Sequence, residues 1–497
     1  MDPLAFFMGW TPVLFLSLLV IIFKRPALDL SLWGTGFALL LVVGWFDTPL
    51  SVGLRASLDG ILTTLPLVLV IFAGIMLSSM LMAVGSLTRV VDWFMAGVKD
   101  GFHRNILISL GVCNFMEGAG VIAEPIVAPM LRAAGVEPAG AAALSIIGYS
   151  GLLTLEMAGI TITVLSLITG IPINELGLGI AWLSIPATVA MAVCVPIFLP
   201  RPWPNARRWF LLIFSGLLLG FAALGAVAFL AVSISGMVAG LILIFFLLFG
   251  GMRKLRLDRY ILRDLAPFIF LLVVLLLLNA VSPLKELTFK RLAFQVSLIP
   301  VHTITFRPLF SAYLYLFLAF LIVKLLFNVS GHTFRTVLRG GFQKGWRAAV
   351  SMAMFGAMGQ IIAYSGYEVG FAHLNQANSL PWVMANGLAI YTGAWYPVFV
   401  PLLGWVGTFL SGYGVASLML FGKLQVEIAG AMHLSATWLA SGLAVGASLG
   451  SISSPFKIAI AAPMCGAVGQ EGGILRITIP LGVISSMLVG LILFWVL

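Results

Sequence analysis

Three carboxylates and two lysines stand inside sequence that is otherwise apolar: Glu117, Glu124, Glu156, Lys423 and Lys457. An ionised side chain at the centre of a bilayer costs about 2.5–3.5 kcal/mol on insertion scales unless it is paired or wetted. A carboxyl group kept from water also holds its proton to higher pH, which is the property of a proton carrier. Glu117 is the first choice for that role, followed by Glu156 and Glu124. The competing reading is an acid that is protonated or hydrogen-bonded and only ties helices together. Lys457 follows Ser453-Ser454-Pro455, so it stands where a half-helix would begin. Free amides at such an N-terminus attract anions, and a carboxylate suits that place. Lys423 reads instead as a snorkelling lysine or a partner for Glu427 or a hairpin acid.

Around these charges lie small polar residues able to bind carboxylate or hydroxyl oxygens: Asn114, Ser150, Thr154, Ser411, Ser451, Ser453 and Ser454. Singly each is weak, because Ser and Thr often bond their own helix backbone. Their clustering at a few places is the signal. Gly118, Gly120, Gly412 and Gly414 suit tight turns and close helix contact. The expected substrate-binding set is Asn114, Gly118, Ser150, Thr154, Ser411, Gly412, Tyr413, Ser453, Ser454 and Lys457. No catalytic residue is expected: Ser454 as a nucleophile needs a base within reach, and neither break holds a histidine. No metal or other cofactor is expected either. Cys113, Cys194 and Cys465 lie in apolar sequence without ligand spacing and read as reduced packing residues, and the five His are scattered.

The elements that must position these groups are written twice. Asn114 to Val121 is a glycine-flanked polar break in apolar sequence, and Thr408 to Val415 is its counterpart. In lipid such a break is permitted only where protein covers it or a cavity lies beside it. Matching breaks in two halves point to a transporter's binding site. Each half reads as span, amphipathic connector, re-entrant hairpin, broken helix, span. The chain thus divides into N-terminal scaffold helices (1–58), a first repeat (59–208), central scaffold helices (209–345) and a second repeat (346–497). The hairpins fall at about 105–132 and 399–427, the broken helices at 138–170 and 434–467. Aromatics at 92–102 and 382–396 (Trp93, Phe94, Phe102, Trp382, Tyr391, Trp395, Tyr396) read as interfacial anchors.

Composition agrees. Of 497 residues, 61% are hydrophobic and 9% charged, with mean hydropathy +1.14, which excludes a soluble domain of this length. The first apolar run, Leu4 to Phe23, lacks a basic leader and reads as a retained helix. The net charge of +10 would suit nucleic acid, but the basic residues sit in short loops between spans, as the positive-inside rule requires. Taking Lys24, Arg25, Lys99, Arg201, Arg207, Arg253, Lys254, Arg256 and Lys344 as cytoplasmic puts both termini outside. It also makes the hairpins enter from opposite sides, an inverted-topology repeat. The expected class is an all-α polytopic protein of the cell (inner) membrane.

Phe115-Met116-Glu117-Gly118-Ala119-Gly120 resembles the first hairpin of the lactate permease family. Ser411-Gly412 with Leu420-Phe421-Gly422-Lys423-Leu424-Gln425 resembles its second hairpin, and Ser453-Ser454-Pro455 with Ile458-Ala459 its later break. Gly469-Gln470-Glu471-Gly472 with Leu475, Arg476 and Thr478 resembles its last basic loop. The chain departs from that pattern at Tyr413-Gly414-Val415-Ala416-Ser417, at Val121-Ile122-Ala123-Glu124-Pro125 and at Phe456. A larger or less polar acid fits Tyr413 and Phe456 at least as well as lactate. The resemblance implies a divergent carrier of lactate, glycolate or a related carboxylate, with proton symport, inverted repeats and an elevator-type movement. Sodium is the alternative coupling ion, and a cation antiporter the alternative function; a channel is disfavoured by the paired hairpins. The expected partners are the small organic anion and the lipid bilayer, with no nucleic acid. By analogy with this architecture, a homodimer is the expected assembly.

Overall fold

The computed structural model describes residues 3–23, 25, 27–98, 100–120, 122–200, 203–249 and 258–497. Val121 and the loop residues Lys24, Pro26, Lys99, Arg201, Arg253, Lys254 and Arg256 lie outside them, as do the side chains of Phe94 and Lys344. The helices run α1 (Pro3–Ile21), α2 (Ala27–Gly44), α3 (Leu50–Ala83), α4 (Ser86–Gly97), α5 (Gly101–Ile106), α6 (Cys113–Gly118), α7 (Glu124–Ala133) and α8 (Pro138–Ile147). Then come α9 (Ile160–Thr169), α10 (Ile173–Cys194), α11 (Ala206–Phe229), α12 (Ser235–Leu248), α13 (Arg259–Ala280), α14 (Ser282–Lys285), α15 (Ala312–Leu326) and α16 (Gly331–Ala363). The last six are α17 (Leu380–Thr392), α18 (Tyr396–Ser411), α19 (Gly414–Met432), α20 (Ala436–Leu449), α21 (Pro455–Cys465) and α22 (Glu471–Val496).

Among the described residues, five helices are long and apolar enough to cross a bilayer singly: α3, α10, α11, α19 and α22. The pair α20–α21, bent by 43°, makes a sixth. The chain is an all-α polytopic membrane protein. It also carries a two-stranded antiparallel ribbon, β1 (Phe294–Ile299) and β2 (His302–Phe306), paired Phe294 to Phe306. Alternating residues such as Gln295-Val296-Ser297 and Thr303-Ile304-Thr305 are its mark in the sequence. His302 Nδ1 lies 2.7 Å from the buried Asp59 Oδ2 and fastens the ribbon to α3.

The helices pack in two groups. The first is α2, α3, α15 and α16, with α13 against α15. The second joins the hairpins, the broken helices, α10 and α22. Residues 209–345, one block in the sequence, divide between them. α11 lies on α10, and α12 lies on the ascending leg of the first hairpin. That contact is backbone to backbone: a Cβ on Gly118 would sit 2.2 Å from Met237 N, and one on Gly240 2.4 Å from Phe115 N. The connection between α11 and α12 is a 3-10 turn at Val232–Ile234, so Ser235 and Gly236 already belong to α12.

α4 bridges the two groups. Its Arg89 forms a two-point ion pair with the fully buried Asp264 of α13, both contacts at 2.7 Å. Where α5 begins, Asp100 caps the helix; a hydrogen bond from His103 and the nearby Arg208 guanidinium hold its carboxyl below the usual carboxylate range. Of the aromatics expected at the interface, Tyr391 and Trp395 are exposed, but Tyr396 is fully buried. Its hydroxyl donates to Gln425 Oε1 at 2.8 Å, so it is a packing residue of α18. It opens α18, where the sequence placed a connector.

The glycine contact is testable by thermal unfolding in detergent. Gly240→Ala should lower stability by about 1–3 kcal/mol, because no side-chain end is free to yield. Gly36, with nothing within 4 Å, should accept Ala neutrally or with a gain below about 1 kcal/mol. A Gly240→Ala protein that melts with the parent contradicts this packing.

Candidate functional site

The first hairpin rises through α5, a π-helical turn (Leu107–Val112) and α6, and turns at Gly120 (φ +78°). It then descends as α7, which begins at Glu124 and packs on both α8 and α21. The second hairpin is α18, a turn at Gly412 (φ +84°) and α19. α19 packs on both α20 and α9. Each descending leg therefore touches a broken helix from each half. Gly414 opens α19 in ordinary helical contact, so the turn requires Gly120 and Gly412 but not Gly414.

The two broken helices open differently. After α8 the chain makes turns and short 3-10 segments, with Glu156 extended, Met157 at φ +50° and Gly159 at φ +74° before α9. After α20 a 3-10 turn (Gly450–Ser453) leads to the extended Ser454, whose Oγ caps α21 by accepting from Lys457 N at 3.4 Å. The breaks are tied to each other. Thr154 N donates to Ser448 Oγ at 2.9 Å, and Thr154 Oγ1 donates to Ala444 O at 2.7 Å.

At this crossing the buried Lys457 Nζ donates to Tyr149 Oη at 2.8 Å. Tyr149 Oη in turn donates to Glu124 Oε1 at 2.6 Å. The direction is fixed by chemistry. An ammonium has only donors, so the hydroxyl oxygen accepts from Lys457 and its single proton goes to Glu124. The lysine and the carboxylate form an ion pair relayed through a phenol. Tyr149 is fully buried, Glu124 is 2% exposed and Lys457 6%. The ammonium also lies 4.5 Å from the Tyr149 ring centroid. Among the described residues no carboxylate lies within 4 Å of Lys457 Nζ.

The other expected residues sort by what they hold. Glu117 Oε2 accepts from Ala123 N at 2.9 Å, closing its own hairpin tip, within electrostatic range of Glu124 and Lys457. Glu156 is fully buried beside Gly236 of α12, and among the described residues neither oxygen has a hydrogen-bond partner. Asn114 Nδ2 donates to Leu110 O and Gly148 O, joining hairpin to broken helix, while its Oδ1 has no partner among the described residues. Ser150 Oγ spends its proton on Ile146 O, and Ser453 Oγ donates to Thr478 O while accepting from Trp405 Nε1. Ser451 Oγ is buried, with no hydrogen-bond partner among the described residues. Gly118 serves the contact with α12, and the Ser411 side chain lies outside the described ones. The Tyr413 and Phe456 rings lie 4.8 Å apart between centroids, tilted by 50° and half-buried beside the relay. Lys423 lies over the Tyr364 and Tyr367 rings, at 5.2 and 5.6 Å.

Glu124 starts the descending leg at the tip and faces the broken helices, because α7 packs on α8 and α21. Tyr149 was not in the expected set. Its signal is a phenol between glycines at a break, since a buried tyrosine hydroxyl must find a partner.

A profile of L-lactate permease matches residues 5–255 and 259–497. The chain belongs to the L-lactate permease family. Over 454 residues it is 23% identical to the L-lactate permease of Streptococcus iniae, covering 86% of this chain and 92% of that protein. It is 35% identical over 127 residues to glycolate permease GlcA of Escherichia coli (strain K12), covering 26% of this chain and 22% of that one. With the L-lactate permease of the same strain it shares 33% over 146 residues, 29% and 26% of the two chains. In this family member the twice-written breaks are a crossing of helix ends around one relayed charge pair.

Substitution separates the crossing from its local hydroxyls. Thr154→Val keeps the shape but removes the hydroxyl's buried bonds to Ala444 O and Ser448 Oγ, and should cost about 1–3 kcal/mol in detergent unfolding. Ser150→Ala loses only a bond within its own helix and should cost less than about 1 kcal/mol. Equal costs for the two would remove Thr154 as the tie between the breaks.

Proposed function

We propose that the chain is a secondary active carrier of a small monocarboxylate of the lactate or glycolate kind, moved with protons across the cell (inner) membrane. The observation that carries this is Lys457. It is a buried ammonium at the first turn of a half-helix, with Tyr149 as its one hydrogen-bonded side chain among the described residues. A substrate carboxylate completes its donors and meets the amides of the same helix start. The names of the relatives, L-lactate permease and glycolate permease, support the same substrate class. The half-buried Tyr413–Phe456 pair beside the lysine suits an acid with more apolar surface than glycolate. The chain acts as a permease rather than as a catalyst.

The buried acids supply protonation sites, which favours the proton over sodium and symport over cation exchange. Packing supports an elevator. Between the two helix groups lies a separate apolar cluster, with Met352 of α16 and Val68 and Ile75 of α3 against Val164, Val415 and Met419. A contact built of aliphatic and methionine side chains can slide without breaking directional bonds. In this reading the two halves are inverted repeats, both termini face outward, α11 and α12 travel with the hairpins, and a homodimer carries the fixed helices.

Uptake of labelled L-lactate and glycolate into proteoliposomes, with an inward proton gradient, tests this. Lys457→Met should lower uptake by about 10–100-fold, the worth of hydrogen bonds to a charged group. Unchanged uptake in a correctly folded Lys457→Met protein would sink the anion site. Sodium flux without any acid would favour the antiporter.

A further inference from the structure

In the structure, Lys457 already has an anion. It reaches Glu124 through one phenol, and the relay spans three separate elements: α21, the first break and α7. We infer that Glu124 is the carrier's internal counter-anion, and that the substrate carboxylate displaces it from the Tyr149–Lys457 pair. This rests on the reading of Lys457 as the anion site.

The charge balance dictates the rest. The empty site holds one cation and one anion. When a carboxylate takes the ammonium, two anions share one cation away from water, and the second is expensive to keep. A proton from water on the entry side, bound to a Glu124 carboxyl oxygen, restores neutrality. When substrate leaves on the far side, Lys457 needs an anion again, and Glu124 gives its proton to water there. One proton thus travels with each carboxylate.

Other titratable groups face Glu124. Glu117 and Cys113 of α6, Tyr149, Tyr413 at the second hairpin tip and Lys457 all lie within its electrostatic range. Glu124 differs from Glu117 in its bond. Glu117 is held by a backbone amide of its own hairpin, whereas Glu124 is held by the group that also touches the lysine.

Binding of L-lactate and glycolate to the purified full chain, by calorimetry between pH 5.5 and 8.5, tests this, with melting temperature as the fold control. In the parent protein, the dissociation constant should rise up to tenfold per pH unit, with one proton taken up per ligand as read from buffer dependence. Glu124→Gln should flatten the slope and abolish the uptake. Tyr149→Phe should lower the slope as well, because the hydroxyl links carboxylate to lysine. A full slope in Glu124→Gln, or its loss in Glu117→Gln alone, overturns the counter-anion and leaves the anion site standing. Parent-like binding by Lys457→Met, or no binding of either acid by the parent, overturns the anion site itself and this inference with it.

Discussion

A buried ammonium must have an anion, and much of this molecule is arranged around that requirement. Stripping one partner from a buried ion pair typically costs about 3–5 kcal/mol, more than most single contacts return. Here the pair is not direct. Tyr149 stands between Lys457 and Glu124, so three elements far apart in sequence must meet within two hydrogen bonds. α21 has to start where it does, which Ser454 and Pro455 ensure by capping and by ending the preceding turn. α7 has to start at Glu124, which the turn at Gly120 and the Glu117–Ala123 bond arrange. The break after α8 then delivers Tyr149 to the same point.

The close helix contacts serve that meeting point. Gly118 and Gly240 let α6 and α12 approach backbone to backbone, and α18 and α20 do likewise at Gly404 and Gly446. Such contacts replace hydrophobic driving force, which is weak between helices in lipid, with dispersion over matched surfaces. They lock the hairpins and broken helices to α10, α12 and α22, and beside the site an apolar cluster faces α3 and α16.

Much of this was legible in the residues. The twice-written glycine-flanked breaks mark the two hairpins, and Ser453-Ser454-Pro455 marks the start of α21 with Lys457 in its first turn. These are local signals of turn and cap chemistry, and local signals survive without tertiary context. What could not be read is where hydroxyls point. Ser150 and Ser453, expected at the substrate, are spent on Ile146 and Thr478 carbonyls, and nothing in their own sequence distinguishes them from Thr154, which crosses to the other break. Tyr149 escaped notice because its two partners lie 25 residues before it and 308 after it. The division of residues 209–345 was hidden for a similar reason, since apolar helices carry no sequence record of which neighbour they face. The β1–β2 ribbon is different: its alternation was visible, but it is short and lies between spans.

Charge neutrality at the relay has a direct electrical signature. The decisive measurement is the net charge moved per carboxylate, from currents or voltage-dependent uptake in proteoliposomes with pH and sodium gradients set independently. One proton per carboxylate makes transport electroneutral, so the expected result is uptake driven by the pH gradient, insensitive to membrane potential and indifferent to sodium. A net current that scales with substrate, or uptake that follows the sodium gradient, would contradict the proposed exchange of one anion for another at Lys457.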